Sequence, residues 1–231
     1  MAERVLFAPP RDRRLFVVLG PFGAGKSEIA LNLALALRAQ GRQAALADLD
    51  LVNPYFRARE QEALLEQAGV RLIAPEGALR HADLPSIPPA LWQLVYNQEL
   101  SGVLDIGGDP TGARVLGAYA GDIIKQRPAV WYVFNQARHD NASAQQALMS
   151  LRQIEAQAGL QVEGILHNTH LSHETTAGTL LEGAEAAAEF ARTAGLPLIC
   201  HCVKAALLDQ LAGLSPLFPL TLYLRRPWEV D

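Results

Sequence analysis

Cysteine is scarce, and the two present, Cys200 and Cys202, stand two residues apart. On a strand such neighbours share a face but are badly placed to bridge, so a disulfide scaffold is not expected and a reducing, cytoplasmic setting is. Half of the residues are apolar, yet no run approaches the ~18–20 uncharged apolar residues of a membrane span. Met1–Arg14 alternates charge and proline. It has neither the apolar centre nor the small-residue cleavage site of a secretory signal. An excess of one charge is also lacking: 20 basic side chains face 24 acidic ones, a net charge of −4. No whole-molecule field draws in a polyanion, so short of a local basic patch nucleic acid is not an expected partner. No internal repeat and no low-complexity tract is visible.

What is present is an alternation of strand-like and helix-length segments along 231 residues, enough for one α/β domain over residues 1–231 with a substantial core. Strands are expected at Leu15–Leu19, Gln43–Ala47, Val70–Ala74, Leu100–Ile106, Ala129–Phe134, Val162–His167, Leu196–Cys200 and Leu220–Leu224. Helices are expected at Glu28–Gln40, with Gly41 as its stop, and at Gly112–Lys125, Ala142–Ala158, Thr175–Ala194 and Lys204–Leu211. Trp92 and Tyr96, four apart, read as one helix face on the core, and Asp83–Pro89 as a loop. Near-continuous apolar strands separated by helices indicate a mainly parallel central sheet flanked by helices on both faces, a three-layer architecture.

Between the first strand and the first helix lies Gly20-Pro21-Phe22-Gly23-Ala24-Gly25-Lys26-Ser27, a complete G-x-x-x-x-G-K-[ST] phosphate loop, or P-loop. Glycines let successive backbone N–H groups curl inward around phosphate oxygens. The helix that follows adds its positive end. Lys26 is expected on the β- and γ-phosphates and the Ser27 hydroxyl on Mg²⁺, with Glu28 in the same contact set. The competing reading, a glycine-rich turn that merely caps a helix, does not need an apolar strand before it and an amphipathic helix after it; both are present.

Two acidic strand ends complete the pattern. Asp48-Leu49-Asp50 closes the second strand and Asp105-Ile106-Gly107-Gly108-Asp109 another. Ligands of open α/β sheets sit outside the carboxyl ends of strands. Asp48 and Asp105 are therefore candidate Mg²⁺ acids, Asp105 acting through water. Asp50 is the candidate that orients an attacking water, and Gly107 and Gly108 bring N–H groups to a γ-phosphate. Helix capping is the alternative role for Asp48 or Asp50.

Together the loop at 20–27, Asp48-Leu-Asp50 and Asp105-Ile-Gly-Gly resemble the MinD/ParA-type ATPases, within the P-loop class that also holds signal-recognition GTPases and dethiobiotin synthetase. Asp50-Leu-Val-Asn-Pro-Tyr-Phe-Arg57-Ala-Arg59-Glu60, Gly107-Gly-Asp-Pro-Thr-Gly-Ala-Arg114 and Asn168-Thr-His-Leu171 look like an uncharacterised bacterial subgroup of them. The resemblance implies a P-loop NTPase fold, Mg·ATP as ligand, slow hydrolysis used as a switch, a homodimer and a protein partner. It also implies that Asn168 reads the base. Guanine readers carry an acid shortly after that asparagine, and here none appears before Glu174, which favours adenine. ParA-type loops read K-G-G-x-G-K-[ST]; here Pro21 and Phe22 replace the extra lysine and a glycine. Arg57 is the expected substitute for that charge, ahead of Arg59 and Arg114. Two other readings stay open: a small-molecule kinase or ligase of the dethiobiotin-synthetase kind, and a nucleotide-binding regulator without turnover.

His167, His170 and His173, with Cys200-His201-Cys202, suggest a metal site less well than they suggest buried thiols and polar loop histidines. The segment Leu220–Trp228, ending Arg225-Arg226-Pro227-Trp228, does not resemble the membrane-targeting helix of MinD proteins.

Overall fold

A computed structural model describes residues 5–50, 58–74, 89–108, 116–117 and 119–224. Eight strands form one sheet: β1 (Leu15–Leu19), β2 (Gln43–Leu49), β3 (Val70–Ile73), β4 (Leu100–Ile106), β5 (Ala129–Phe134), β6 (Gly164–His167), β7 (Leu198–Lys204) and β8 (Leu217–Leu220). Their order is β3-β2-β4-β1-β5-β6-β7-β8, and every pairing is parallel. Among the described residues six α-helices accompany them: α1 (Lys26–Ala39), α2 (Glu62–Gln67), α3 (Pro89–Tyr96), α4 (Ala120–Lys125), α5 (Ala144–Ala158) and α6 (Ala177–Ala194).

The strand sequence Leu15-Phe16-Val17-Val18-Leu19 is apolar at every position because both faces of the sheet are covered. Leu15, Val17 and Leu19 join a core with Leu91 of α3, Ile123 of α4, Leu151 of α5 and Phe190 of α6. Phe16 and Val18 point the other way, to Ile29, Leu33 and Leu37 of α1 and Leu65 of α2. Each such side chain contributes roughly 1.5–3 kcal/mol by leaving water. Helix ends follow local chemistry. Gly25, at φ 92°, opens α1 and Gly41, at φ 81°, follows its end. The Ser143 hydroxyl accepts from the Gln146 N–H to start α5, and Thr176 and Thr179 form a reciprocal cap on α6.

The departures from the sequence reading lie mainly at the carboxyl end. The last strand is Leu217–Leu220 rather than Leu220–Leu224, because residues 221–224 are held by side chains of α1 instead of by a neighbouring strand. Strand β7 runs on to Lys204, paired with Leu220. The helix expected over Lys204–Leu211 is a 3₁₀ turn, Ala205–Gln210, none of whose residues is buried. Trp92 packs on the core, whereas Tyr96 stacks on Trp92 and stays half exposed. The expected loop Asp83–Pro89 falls, apart from its last residue, outside the described residues. So do residues 112–115 and 118 of the helix expected over Gly112–Lys125, and all of Arg225–Trp228.

Candidate functional site

Because all strands run the same way, their carboxyl ends share one rim, and β1 delivers the glycine loop to its middle. The loop folds back on itself. The Lys26 Nζ donates to the Pro21 carbonyl at 3.0 Å, and the Ala24 N–H donates to the same oxygen at 3.3 Å. Lys26 is 6% exposed although it opens a helix. Gly20 and Pro21 are buried beside β5, whereas the Phe22 ring is largely exposed. Gly25 needs its missing side chain twice over. Its φ of 92° suits glycine, and a Cβ there would overlap the Asn168 amide. That amide donates to the Ala24 carbonyl at 2.8 Å, tying the end of β6 to the loop.

Asp48 and Asp105 are register partners on β2 and β4, 0% and 1% exposed. Burial is the main force that raises the Asp105 pKa, to about 8, and the Asp48 carboxylate adds to it; Ser27 and Lys26 pull the other way. The Ser27 hydroxyl comes close enough to favour the charged form, yet neither Asp105 oxygen has a hydrogen-bond partner of sound geometry. A buried carboxylate in that state fits a cation. Among the described residues no group of three His, Cys, Asp or Glu side chains is set to hold a metal by itself. Asp48, Asp105 and the Ser27 hydroxyl are the residues that could hold an ion such as Mg²⁺, which takes one or two protein ligands and the rest from water and phosphate. Asp50, also buried, has its N–H on the Asp48 Oδ1 at 3.2 Å. Gly107 is buried, and Gly108 lies against the loop: a Cβ on it would stand 2.6 Å from both the Lys26 Nζ and the Phe22 nitrogen.

A cavity of about 340 Å³ opens from this rim, lined by Phe22, Gly23, Gly25 to Glu28 and Asp50 on the loop side and by Asn168, Cys202, Lys204 and Leu222. Glu28 reaches it, but its carboxylate accepts the N–H groups of Tyr223 (2.8 Å) and Leu224 (3.1 Å). Burial raises the Glu28 pKa and those two N–H groups oppose the rise. One turn on, the Asn32 amide donates to the Thr221 carbonyl and accepts from its N–H, both at 3.0 Å.

The structure thus brings together Gly20 to Glu28, Asp48, Asp50, Asp105, Gly107, Gly108 and Asn168. Arg57 and Arg114 lie outside the described residues, as does the Arg59 side chain. Sequence reasoning missed Arg138, which leans on Gly23, and the wall formed by residues 221–224. Arg138 follows β5 closely, but that β5 neighbours β1 is a property of strand order. His167 is the last residue of β6, where the strand expected over Val162–His167 ends; it is buried, and its Nδ1 is 2.9 Å from the Nδ1 of His201. Cys200 and Cys202 are buried thiols facing the opposite layer.

No family model matches the sequence, and no curated protein matches it. Solved structures do resemble the fold. FtsY from Mycoplasma mycoides superposes with a TM-score of 0.56 at 14% identity, over 85% of this chain and 61% of that one. FtsY from Thermotoga maritima gives 0.54 at 20% identity, over 86% and 64%. The Signal Recognition Particle 54 kDa protein from Aeropyrum pernix, in complex with GDP, gives 0.54 at 22% identity, over 84% and 42%. The chain therefore spans less than two thirds of each of these proteins. At such identities the likeness concerns architecture: this chain has the P-loop NTPase type of α/β fold, an eight-stranded all-parallel sheet flanked by helices.

Proposed function

We propose that the protein binds Mg·ATP at the carboxyl rim of its sheet and hydrolyses it slowly, as a nucleotide-dependent switch of the MinD/ParA kind. The observation that carries this is the convergence of the glycine loop, the buried Asp48–Asp105 pair and Asn168 on one rim of the sheet, beside a cavity of about 340 Å³ lined by the loop, Asp50 and Asn168. Loop N–H groups and the amino end of α1 receive the phosphates, with Lys26 beside them. Ser27, Asp48 and Asp105 hold Mg²⁺, which when bound neutralises charge on the phosphate oxygens. Asp50 orients the water, Gly107 and Gly108 face the terminal phosphate, and Arg57 adds a cation in the transition state.

Adenine is the base this reading favours. Glu174, the nearest acid after Asn168 in sequence, is exposed and does not line the cavity, so it is not placed to accept from guanine donors. The segments around Asp50–Arg59 and Gly107–Arg114 are the switch, ordered by ATP and released on hydrolysis, and a homodimer or a protein partner reads that state. No described helix is long and apolar enough to cross a membrane.

A second reading, transfer of phosphate to a small molecule, is favoured by one observation. A cavity of about 370 Å³ lies on the other side of the loop, against Pro21 and Gly108, and is lined by Gln146, Gln153 and Gln157 of α5. It offers an acceptor room beside the terminal phosphate.

Release of ADP and phosphate from purified protein with Mg·ATP, with Mg·GTP alongside, tests the proposal. Slow turnover of ATP that is lost in Lys26→Ala and Asp50→Ala supports it. Binding without turnover removes intrinsic hydrolysis and leaves the transferase and the regulator.

A further inference from the structure

A nucleoside triphosphate brings about four negative charges into a cavity whose described wall already holds Asp50 and Glu28. Lys26 sits at the base of the loop and Lys204 on the far wall. Arg138 lies against Gly23 in the middle of the loop and lines the same cavity. Its Nε is 3.3 Å and its Cζ 3.4 Å from where a Cβ on Gly23 would stand. The Nε is shielded from solvent.

The turn that presents this side chain is pinned from two directions. Its own N–H donates to the Asn135 carbonyl at 3.0 Å, and the Arg138 carbonyl accepts from Asn141 at 2.9 Å. The Asn135 side chain, fully buried, accepts from Ala137 at 3.0 Å and from His170 at 3.4 Å. The Gln136 N–H donates to the Thr169 hydroxyl at 3.2 Å. Thus the turn after β5 is tied to the segment after β6 that also holds Asn168. The arginine is thus carried on a backbone that is already fixed before a ligand arrives.

We propose that Arg138 is a phosphate-binding residue, a second cation supplied by the chain's own β5 turn to the polyphosphate of the nucleotide at the outer lip of the glycine loop. The proposal rests on the nucleotide-site reading above. It assigns Arg138 to binding, separately from any role of Arg57 in turnover.

The test is the dissociation constant of a non-hydrolysable Mg·ATP analogue and of Mg·ADP at low and high salt, for wild type, Arg138→Gln, Arg138→Lys and Lys26→Ala. Unliganded melting is measured for each. Arg138→Gln is expected to weaken both nucleotides about tenfold or more and to flatten the salt dependence, with an unchanged melt; Arg138→Lys falls between. Wild-type affinity and salt dependence in Arg138→Gln, while Lys26→Ala has lost binding, overturns this proposal alone. Unchanged binding in both variants overturns the nucleotide site itself. A loss in Arg138→Gln that comes with a lowered melt and is not relieved in Arg138→Lys marks a structural role and also overturns the proposal.

Discussion

Asp105 stands beside Asp48 across the β2–β4 pairing, and both carboxylates are buried. Without a cation this pair opposes folding, because burial and mutual repulsion hold the Asp105 pKa up at about 8. Asp105→Asn is therefore expected to raise the stability of the ligand-free protein by about 1–3 kcal/mol, since it removes a buried carboxylate with no sound hydrogen bond. The same change is expected to abolish the stabilisation by Mg²⁺ with nucleotide. Melting curves with and without Mg·ATP check both halves; a lower ligand-free melting temperature would contradict the first.

Gly108 and Lys26 make the second prediction. A methyl group at Gly108 would stand 2.6 Å from the Lys26 Nζ and from the Phe22 backbone nitrogen. A lysine side chain can give way, but the loop backbone has to shift. Gly108→Ala is expected to lower turnover by about a hundredfold through that displacement. Single-turnover hydrolysis measures it, and wild-type rates would show that the close approach is not kept when nucleotide is bound.

Glu28 and Asn32 make the third, since they hold residues 221–224 against α1. In Glu28→Ala the Tyr223 and Leu224 amides lose their acceptors. They are expected to exchange with solvent deuterium about tenfold faster or more, while core amides of β1 are unchanged. Nucleotide dissociation should quicken in parallel, because Leu222 and Leu224 line the cavity. Unchanged exchange at Tyr223 and Leu224 would remove Glu28 as the anchor.

His167 and His201 make the fourth, a pH dependence. Burial first, then the His201 ring, lowers the His167 pKa from 6.5 to about 3; burial also lowers that of His201. Below pH 6.5 the unfolded chain takes up a proton that the folded chain refuses, so stability is lost as pH falls from about 6.5 toward 3. The slope is about 1.4 kcal/mol per pH unit for a histidine that stays neutral in the fold. Urea midpoints between pH 7 and 5 read it, and His167→Gln is expected to reduce the slope.

The sheet was legible because its strands are apolar on both faces, as in Leu15–Leu19 and Ala129–Phe134. The loop was legible because its glycines and Lys26-Ser27 leave few other readings. The helix over Glu62–Gln67 escaped notice: six residues that bury only Leu65 give no period to detect. The end of the sheet escaped for a different reason. Leu220–Leu224 alternates like a strand, yet its partners are the side chains of Glu28 and Asn32, nearly two hundred residues away in the chain. Arg138 belongs to no motif in the sequence, and only the placement of β5 next to β1 brings it to Gly23.

The wall at residues 221–224 also bears on biosynthesis. The glycine loop leaves the ribosome early, but the cavity it faces lacks one side until Leu224 has followed. A nascent chain interrupted before that point would carry the glycine loop, the proposed phosphate site, without the wall beside it. Retention of nucleotide would thus distinguish chains that have passed Leu224 from those that have not.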